Sequence, residues 1–175
     1  TIFFAIISLL YSLSLPNMYS SSALLMTVDE NDSMTSGLGA YSDIVGFAGV
    51  SILDDRKKKS AEAISRINSL DFFKNHFLPN IKLENLMAVE SWDKKSNNIL
   101  YDNSKFDSKN SKWRSIDKDK NKRPSTQKAF RAYRQIVEIN EDSKTKFVRI
   151  SITHQAPEVA SVWLETIIEN INSSM

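Results

Sequence analysis

The chain opens with an uncharged apolar segment. Residues 1–15 read TIFFAIISLLYSLSL and contain only Thr, Ser and Tyr as polar residues. A membrane-spanning helix needs about 20 apolar residues, whereas fifteen helical residues extend over only about 22 Å. We therefore expect residues 1–16 to be the C-terminal part of a first transmembrane helix that ends at Pro16. The alternatives are the apolar region of a signal peptide and a buried helix of a soluble core.

The absence of basic residues after this segment predicts its orientation in the membrane. Residues 16–55 contain neither Lys nor Arg. Because the cytoplasmic flank of a transmembrane helix carries an excess of these residues, residues 17–175 are expected on the translocated side of the membrane. In a Gram-negative bacterium that compartment is the periplasm.

The pattern of residues 19–79 predicts a strand and then a helical region. Residues 19–28 include a continuous apolar stretch at 23–26, which favours a strand covered on both faces. Residues 54–59 (DDRKKK) are expected to form a solvated turn. From Ser60 to Phe77 apolar residues recur at three- and four-residue steps. This spacing predicts a helix with Ser60 as its N-cap, a break at 68–69 and an end at Pro79.

Residues 125–175 combine helical and strand patterns. Ser125 is a candidate helix N-cap, and residues 136–139 and 147–153 are predicted to form a hairpin. A final helix begins at Pro157, and its apolar stripe runs to the end of the sequence, so we expect the chain to continue beyond Met175. These elements predict an α+β domain over residues 17–175, with a small mixed sheet packed with helices.

All four glycines of the chain lie in residues 37–52 (GLGAYSDIVGFAGVSI). Their spacing matches neither the dinucleotide-binding nor the phosphate-loop motif. Small residues let neighbouring backbones approach closely. We therefore expect this segment to contact a neighbouring subunit, and its candidate packing residues are Gly46, Phe47, Gly49 and Val50.

Residues 80–128 contain a region of irregular pattern followed by a basic region. Residues 80–101 predict short helical or irregular structure anchored by Trp92. Residues 103–128 contain nine Lys or Arg and three Asp. Aromatic residues among cations are typical of contacts with nucleic acids, sugars or acidic polymers. We expect a solvated surface loop with one or two anchoring aromatic residues. Because a translocated domain does not meet nucleic acid, the alternative is a glycan or lipid contact, with Lys112, Trp113 and Arg114 as its candidate residues.

Composition excludes several kinds of chemistry. The 175 residues are 41% hydrophobic and 25% charged, with a net charge of +2, which is typical of one folded domain. The absence of cysteine excludes disulfides, cysteine-ligated metals and thiol catalysis. The two histidines, His76 and His154, have no visible catalytic partner, and no acid–base pair or triad is apparent. We expect a protein that is not an enzyme and that has no metal or cofactor.

The order of several motifs resembles the Wzz-type polysaccharide chain-length determinants, of the O-antigen type. The motifs are LPN-x-Y-x-S-x-ALL at residues 15–25, GFAGVSI, INSLDFFKNHF, AVESWD, RPS and VRISITHQAPEVASVWLETIIENIN. The most specific are residues 15–19 and residues 151–157 together with Trp163 and Asn172. The resemblance covers essentially the whole chain.

Membership in that family would imply a fold, a location and partners. Its members have two transmembrane helices around a periplasmic α/β base domain with a long helical arm. They form closed rings of identical subunits in the inner membrane. They set the modal length of O-antigen, which a separate polymerase builds on a lipid-linked glycan, and have no known catalytic residues. The long arm and the second transmembrane helix are expected outside these 175 residues.

Two other functional classes remain open at the level of sequence. One is the sensory, ligand-binding ectodomain of a membrane receptor. The other is a secreted binding domain that follows a signal peptide. Relatives of the chain-length determinants that carry a tyrosine-kinase domain also remain an alternative.

Overall fold

A computed structural model describes residues 2–26, 50–114, 123–145 and 147–174. Its α-helices are α1 (Ile2–Ser14), α2 (Val50–Ile67), α3 (Leu70–Phe72), α4 (Leu83–Met87), α5 (Thr126–Ile136) and α6 (Pro157–Ser174). Its strands are β1 (Tyr19–Leu25), β2 (Val89–Asp93), β3 (Asn98–Tyr101), β4 (Phe106–Asp107), β5 (Lys112–Trp113), β6 (Val137–Glu141) and β7 (Val148–His154). This mixture of helices and strands confirms the α+β class.

The main sheet has three strands in the order β1-β7-β6. Strand β1 pairs along its whole length with β7, from Tyr19 opposite His154 to Leu25 opposite Val148. The predicted hairpin is confirmed, because β6 pairs with β7 across a short loop. Both pairings are antiparallel, so the expectation of a mixed sheet is wrong for the described residues. A hairpin reverses the direction of the chain, which makes β6 and β7 antiparallel. Strand β1 also runs in the direction opposite to β7.

Among the described strand residues, one face of this sheet is more deeply buried than the other. Val148, Ile150, Ile152 and His154 alternate with more exposed residues along β7, and all four face the core. In β1 the pattern is weaker, and Leu24 is 55% exposed. The prediction that this strand is covered on both faces is therefore wrong. Its apolar stretch crosses from one face to the other, because successive strand residues point to opposite sides.

Helix α2 begins ten residues earlier than the sequence pattern suggested. Residues 54–59 are helical instead of forming a turn, and Ser60 is buried within the helix instead of capping it. The charged run contains no Gly or Pro, and its lysines and arginine are good helix formers. The predicted break at 68–69 is confirmed, since the Ser69 hydroxyl accepts a hydrogen bond from the Phe72 N–H and caps the next helical segment.

The core is built from aromatic rings on this next segment. A π-helical turn (Phe73–Phe77) follows α3 and leads into a 3₁₀ turn (Leu78–Asn80). The ring centroid of Phe77 lies 4.8 Å from that of Tyr133 on α5 and 5.6 Å from that of Trp163 on α6. Helices α5 and α6 therefore both pack against this turn, and α6 also packs on β1 and β7.

The C-terminal elements match their predicted positions. The Ser125 hydroxyl caps α5, and Pro157 is the first residue of α6. The apolar stripe of α6 is buried at Ala160, Trp163, Leu164, Ile167 and Ile171. Alternation in β7 and helical spacing in α6 are local patterns, which explains why the sequence predicted them correctly.

Two small hairpins replace the irregular structure and the loop that the sequence predicted. Strands β2 and β3 pair across residues 94–97, and β4 and β5 pair across residues 108–111. Each turn follows an aspartate and ends in a residue with positive φ, which is Asn97 at 53° and Ser111 at 52°. The aspartate carboxylate accepts hydrogen bonds from its own turn in both hairpins, which is how Asp commonly starts a turn.

Helix α1 is apolar and exposed. Its large side chains range from 47% exposed at Ile7 to 75% exposed at Phe4. It contains 13 residues, and within the residues that the structure describes no helix is both long and apolar enough to cross a membrane. The assignment of residues 1–16 to a transmembrane helix therefore stays a prediction.

Candidate functional site

Two concave surfaces meet at the side chain of Trp92 on β2. The larger one is a groove of about 360 Å³ between the β2–β3 hairpin, the segment before α4 and the start of α6. The smaller one is a cavity of about 230 Å³ between the same hairpin and the link from α1 to β1. Trp92 lines both. It is the residue that the sequence pattern identified as an anchor.

A chain of hydrogen bonds fixes Trp92 and attaches the hairpin to α6. The indole N–H of Trp92 donates to Oδ1 of Asn97 at 3.0 Å. The amide nitrogen of Asn97 then donates to Oε2 of Glu158 at 2.9 Å. Glu158 lies in the first turn of α6, where a carboxylate is favoured by the helix dipole. The ring of Tyr19 also packs edge-on against Trp92 at a centroid distance of 5.4 Å.

The larger groove combines apolar walls with polar groups of several kinds. Trp163 and Val159 of α6 and Ile99 of β3 provide apolar surface. The polar groups are an ammonium group, a carboxylate and three side-chain amides, from Lys82, Glu158, Asn80, Asn85 and Asn97. A groove of this size lies at the lower end of the roughly 300–1,000 Å³ range of ligand sites. Its lining offers both apolar contact and hydrogen-bonding groups.

The buried side chain of His154 contacts residues that line the larger groove. Its Nδ1 accepts a hydrogen bond from the Ala156 N–H at 2.9 Å, so the ring proton lies on Nε2 and points to the Asn85 carbonyl at 2.9 Å. Its ring also packs edge-on against Trp163 at 5.1 Å. The buried histidine therefore joins the end of β7 to α4 and to the start of α6. His154 is thus a hydrogen-bonded residue at the end of a strand.

The smaller cavity has one cation and several neutral hydrogen-bonding groups. The cation is Lys94, and the neutral groups are the side chains of Asn17, Ser91 and Gln155. Leu15 and Pro16, at the end of α1, line its apolar side together with the rings of Tyr19 and Trp92. None of the described residues that line it is acidic. The cavity therefore favours an anionic group beside an apolar one.

The residues predicted to contact a glycan or lipid lie elsewhere, on the β4–β5 hairpin. The ring of Trp113 packs against Phe106 at a centroid distance of 5.2 Å and contacts the core. The guanidinium of Arg114 lies 3.2 Å from the Asp107 carboxylate. Lys112 is exposed. This hairpin thus offers lysine side chains but only part of one ring, and its role in binding stays a prediction.

Of the residues predicted to pack between subunits, Gly46, Phe47 and Gly49 lie outside the described residues. Val50 is the first residue of α2. The expectation for these four positions also stays a prediction.

The ionisable groups do not gather into a reactive cluster in the part of the chain that the structure describes. No group of three or more His, Asp or Glu residues there is arranged to hold a metal ion. Hydrogen bonds from Ser104 and the ammonium of Lys105 lower the pKa of Asp102 to about 2. Hydrogen bonds within their own turns also hold the pKa of Asp93, Asp107 and Asp142 below the usual range. These carboxylates accept hydrogen bonds within their turns and stabilise them.

Sequence reasoning identified Trp92 but missed its surroundings. Glu158 is 61 residues from Asn97 along the chain, and His154 is 69 residues from Asn85. Only the fold brings such pairs together. The local signal that was available is the turn at residues 93–98, where an aspartate begins and an asparagine ends a short polar segment between two strands.

Comparison of the chain with protein-family models, curated proteins and solved structures found no match. The resemblance to the chain-length determinants therefore depends on the motifs quoted above.

Proposed function

We propose that this protein is a non-catalytic regulator of the chain length of O-antigen or a related surface polysaccharide. One observation carries the proposal beyond the motifs. The exposed apolar helix α1 leads directly into β1, which pairs with β7, and β7 leads directly into the long helix α6. A membrane segment, a sheet and an outgoing helix in this order fit the base domain of the family that the sequence resembles.

In this proposal α1 is part of the first membrane helix, and the α+β domain lies in the periplasm at the inner membrane. Helix α6 continues into the helical arm. The exposed apolar surface of α1 supports this placement, because Phe3, Phe4 and Leu10 are each more than 60% exposed. Apolar surface of this extent on a monomer usually marks contact with a membrane or another protein.

The proposed mechanism is scaffolding. A ring of identical subunits needs an interface that joins two different faces of the subunit and closes by rotation. Strand β1 forms one end of the strand order among the described strands, and its Leu24 and the adjacent Met26 are 55% and 43% exposed. These residues, together with the predicted packing segment at residues 46–50, are the proposed subunit contacts. The ring would hold the polymerase or its lipid-linked glycan, so that chain length depends on how long the glycan stays engaged.

The test is a gene deletion in the bacterium that encodes the protein. Lipopolysaccharide from the wild type, the deletion strain and a strain restored with the full-length gene is compared on a gel. We expect the deletion strain to lose the preferred length but keep long chains, and the full-length gene to restore the preferred length. An unchanged ladder would contradict a role in O-antigen length.

The larger groove supports a second candidate, the sensory ectodomain of a membrane receptor. A receptor needs a ligand site, and the groove beside Trp92 and Trp163 combines apolar walls with amide, carboxylate and ammonium groups. The discriminating variant is Trp92→Ala in the full-length protein. If the protein is a receptor that uses this groove, the Trp92→Ala variant loses the transcriptional or kinase response of the wild type, and the lipopolysaccharide ladder is unchanged. If the protein is a chain-length regulator, the wild type itself shows no such signalling response.

A further inference from the structure

We propose that the smaller cavity, between the β2–β3 hairpin and the end of α1, binds the phosphate group of a membrane phospholipid. The hairpin would then be a second membrane contact of the domain, in addition to α1. This inference rests on the membrane placement of α1 that the proposed function includes.

The polar side of the cavity has the composition of an anion site. It is lined by one ammonium group and by the amide, hydroxyl and amide groups of Asn17, Ser91 and Gln155. In the described parts of the chain none of these four side chains makes a hydrogen bond or ion pair with another residue. All four can donate hydrogen bonds, and among the described residues no carboxylate lines the cavity. A phosphate group accepts such bonds and balances the charge of Lys94.

The apolar side of the cavity identifies the source of the phosphate. Leu15 and Pro16 line it at the end of α1, and Leu15 and Met18 are 54% and 53% exposed. Exposed apolar residues at this point lie at the depth where a membrane helix leaves the acyl chains. A soluble phosphate ester has no apolar chain to contact these residues. A phospholipid has its phosphate at the level of the polar residues and its acyl chains at the level of the apolar ones.

Tyr19 and Trp92 contribute aromatic rings to the lining of the cavity. Their rings meet edge-on at 5.4 Å, and both line the cavity. Tyr and Trp are enriched at the headgroup level of membranes, because each combines an apolar ring with a polar group. The aromatic pair therefore marks the same depth as the proposed phosphate.

The neighbouring charges are compatible with an anionic ligand. Asp93 is next to Lys94, but its carboxylate accepts hydrogen bonds from the Lys95 N–H and the Ser96 hydroxyl within the turn. Glu90 is exposed on β2 and does not line the cavity. Lys95 adds a second exposed ammonium group at the turn. The charge that faces the cavity is therefore that of Lys94.

The β4–β5 hairpin provides a matched control. Its turn also follows an aspartate and ends at a residue of positive φ, and Lys109 occupies the position in it that Lys95 occupies in the other turn. Because the chain has no cysteine, Lys95→Cys and Lys109→Cys each create a single site for a fluorescent label. The two labelled chains differ only in which hairpin carries the label.

The first experiment measures contact with the membrane. The labelled chains are mixed with vesicles of equal parts phosphatidylcholine and phosphatidylglycerol, in which the phosphatidylcholine carries bromine close to the headgroup. We expect bromine to quench the label at position 95 and to leave the label at position 109 unquenched. An unquenched label at 95, or equal quenching at both positions, would overturn the proposal. Quenching at 109 alone would assign membrane contact to the basic hairpin instead.

The second experiment measures the contribution of Lys94. Binding to the same vesicles is compared for the wild type, Lys94→Gln and Lys109→Gln. Because one lysine at an anionic membrane surface contributes a factor of about five in affinity, Lys94→Gln should bind about fivefold more weakly while Lys109→Gln binds like the wild type. Equal effects would indicate nonspecific attraction and would overturn a site at Lys94. A fold check by circular dichroism ensures that the variants are compared as folded chains.

These outcomes are independent of the outcome for chain length. A domain that binds vesicles through Lys94 but leaves the lipopolysaccharide ladder unchanged would overturn the proposed function alone. A normal ladder phenotype with unquenched label at 95 would overturn the lipid site alone.

Discussion

Replacing Tyr133 with phenylalanine tests how α5 and α2 are joined in the core. The Tyr133 side chain is fully buried, and its hydroxyl donates to the carbonyl of Ile67 at 3.0 Å. Ile67 is the last residue of α2, where carbonyl groups have no partner within the helix. Burial raises the pKa of the Tyr133 phenol, so the hydroxyl stays protonated and remains a donor. The variant Tyr133→Phe removes this one oxygen and keeps the ring contacts with Phe77.

The expected cost follows from what the variant leaves behind. Ile67 is 1% exposed, so water cannot replace the lost donor. A buried acceptor without a partner costs about 1–3 kcal/mol. We expect the free energy of unfolding to fall by about 2 kcal/mol, which lowers Tm by about 4–8 °C for a domain of this size.

Tyr101 provides the matched control. Its hydroxyl donates to Oδ1 of Asn85 at 2.6 Å, but both groups are only partly buried. Water can therefore satisfy Asn85 in Tyr101→Phe, and we expect a loss of about 0.5 kcal/mol. Urea unfolding followed by circular dichroism measures both variants, with equal slopes showing that both report stability. If Tyr133→Phe is as mild as Tyr101→Phe, the proposed link between α2 and α5 is refuted.

Three further predictions concern turns and caps. Ser111→Gly should raise the free energy of unfolding by about 1 kcal/mol, because glycine adopts positive φ without steric cost. Asn97→Gly should lower the free energy of unfolding, because the hydrogen-bonded bridge from Trp92 to α6 is lost. Urea unfolding compares the two variants. The Asp102 carboxylate should titrate near pH 2 by NMR. Since its folded-state pKa lies below its unfolded value, its contribution to stability is present above about pH 4 and is lost as the pH falls towards 2. Ser104→Ala should raise the pKa of Asp102. Ser69→Ala removes the cap of α3 and should cost about 1 kcal/mol in thermal unfolding; no change in Tm would contradict that role.

The parts of the fold that the sequence predicted are those with strong local patterns. The alternation of β7 and the apolar stripe of α6 place their residues correctly, and the predicted cap at Ser125 is a short-range hydrogen bond. The start of α2 was missed because a run of charges looks like a turn, although its residues are also good helix formers. The strand β1 was misjudged because its burial depends on what covers each face of the sheet.

The candidate site was harder to predict because its residues are far apart in the sequence. The sequence identified Trp92 as a single anchor. Its place in the site depends on the ring of Tyr19 and on the hydrogen bonds that connect it through Asn97 to Glu158. The cavity beside Lys94 also needs Gln155, which the pairing of β1 with β7 brings next to the end of α1. Such contacts are set by strand register, and the sequence pattern of one segment does not contain the register of another.

The most direct test of the central claim measures chain length and polymer synthesis together. In the deletion strain, incorporation of a radiolabelled sugar into O-antigen is quantified while the length distribution is read from the lipopolysaccharide gel. A non-catalytic regulator predicts normal incorporation with the preferred length lost, and recovery of that length when the full-length gene is restored. Loss of incorporation, or a length distribution identical to that of the wild type, would contradict the account.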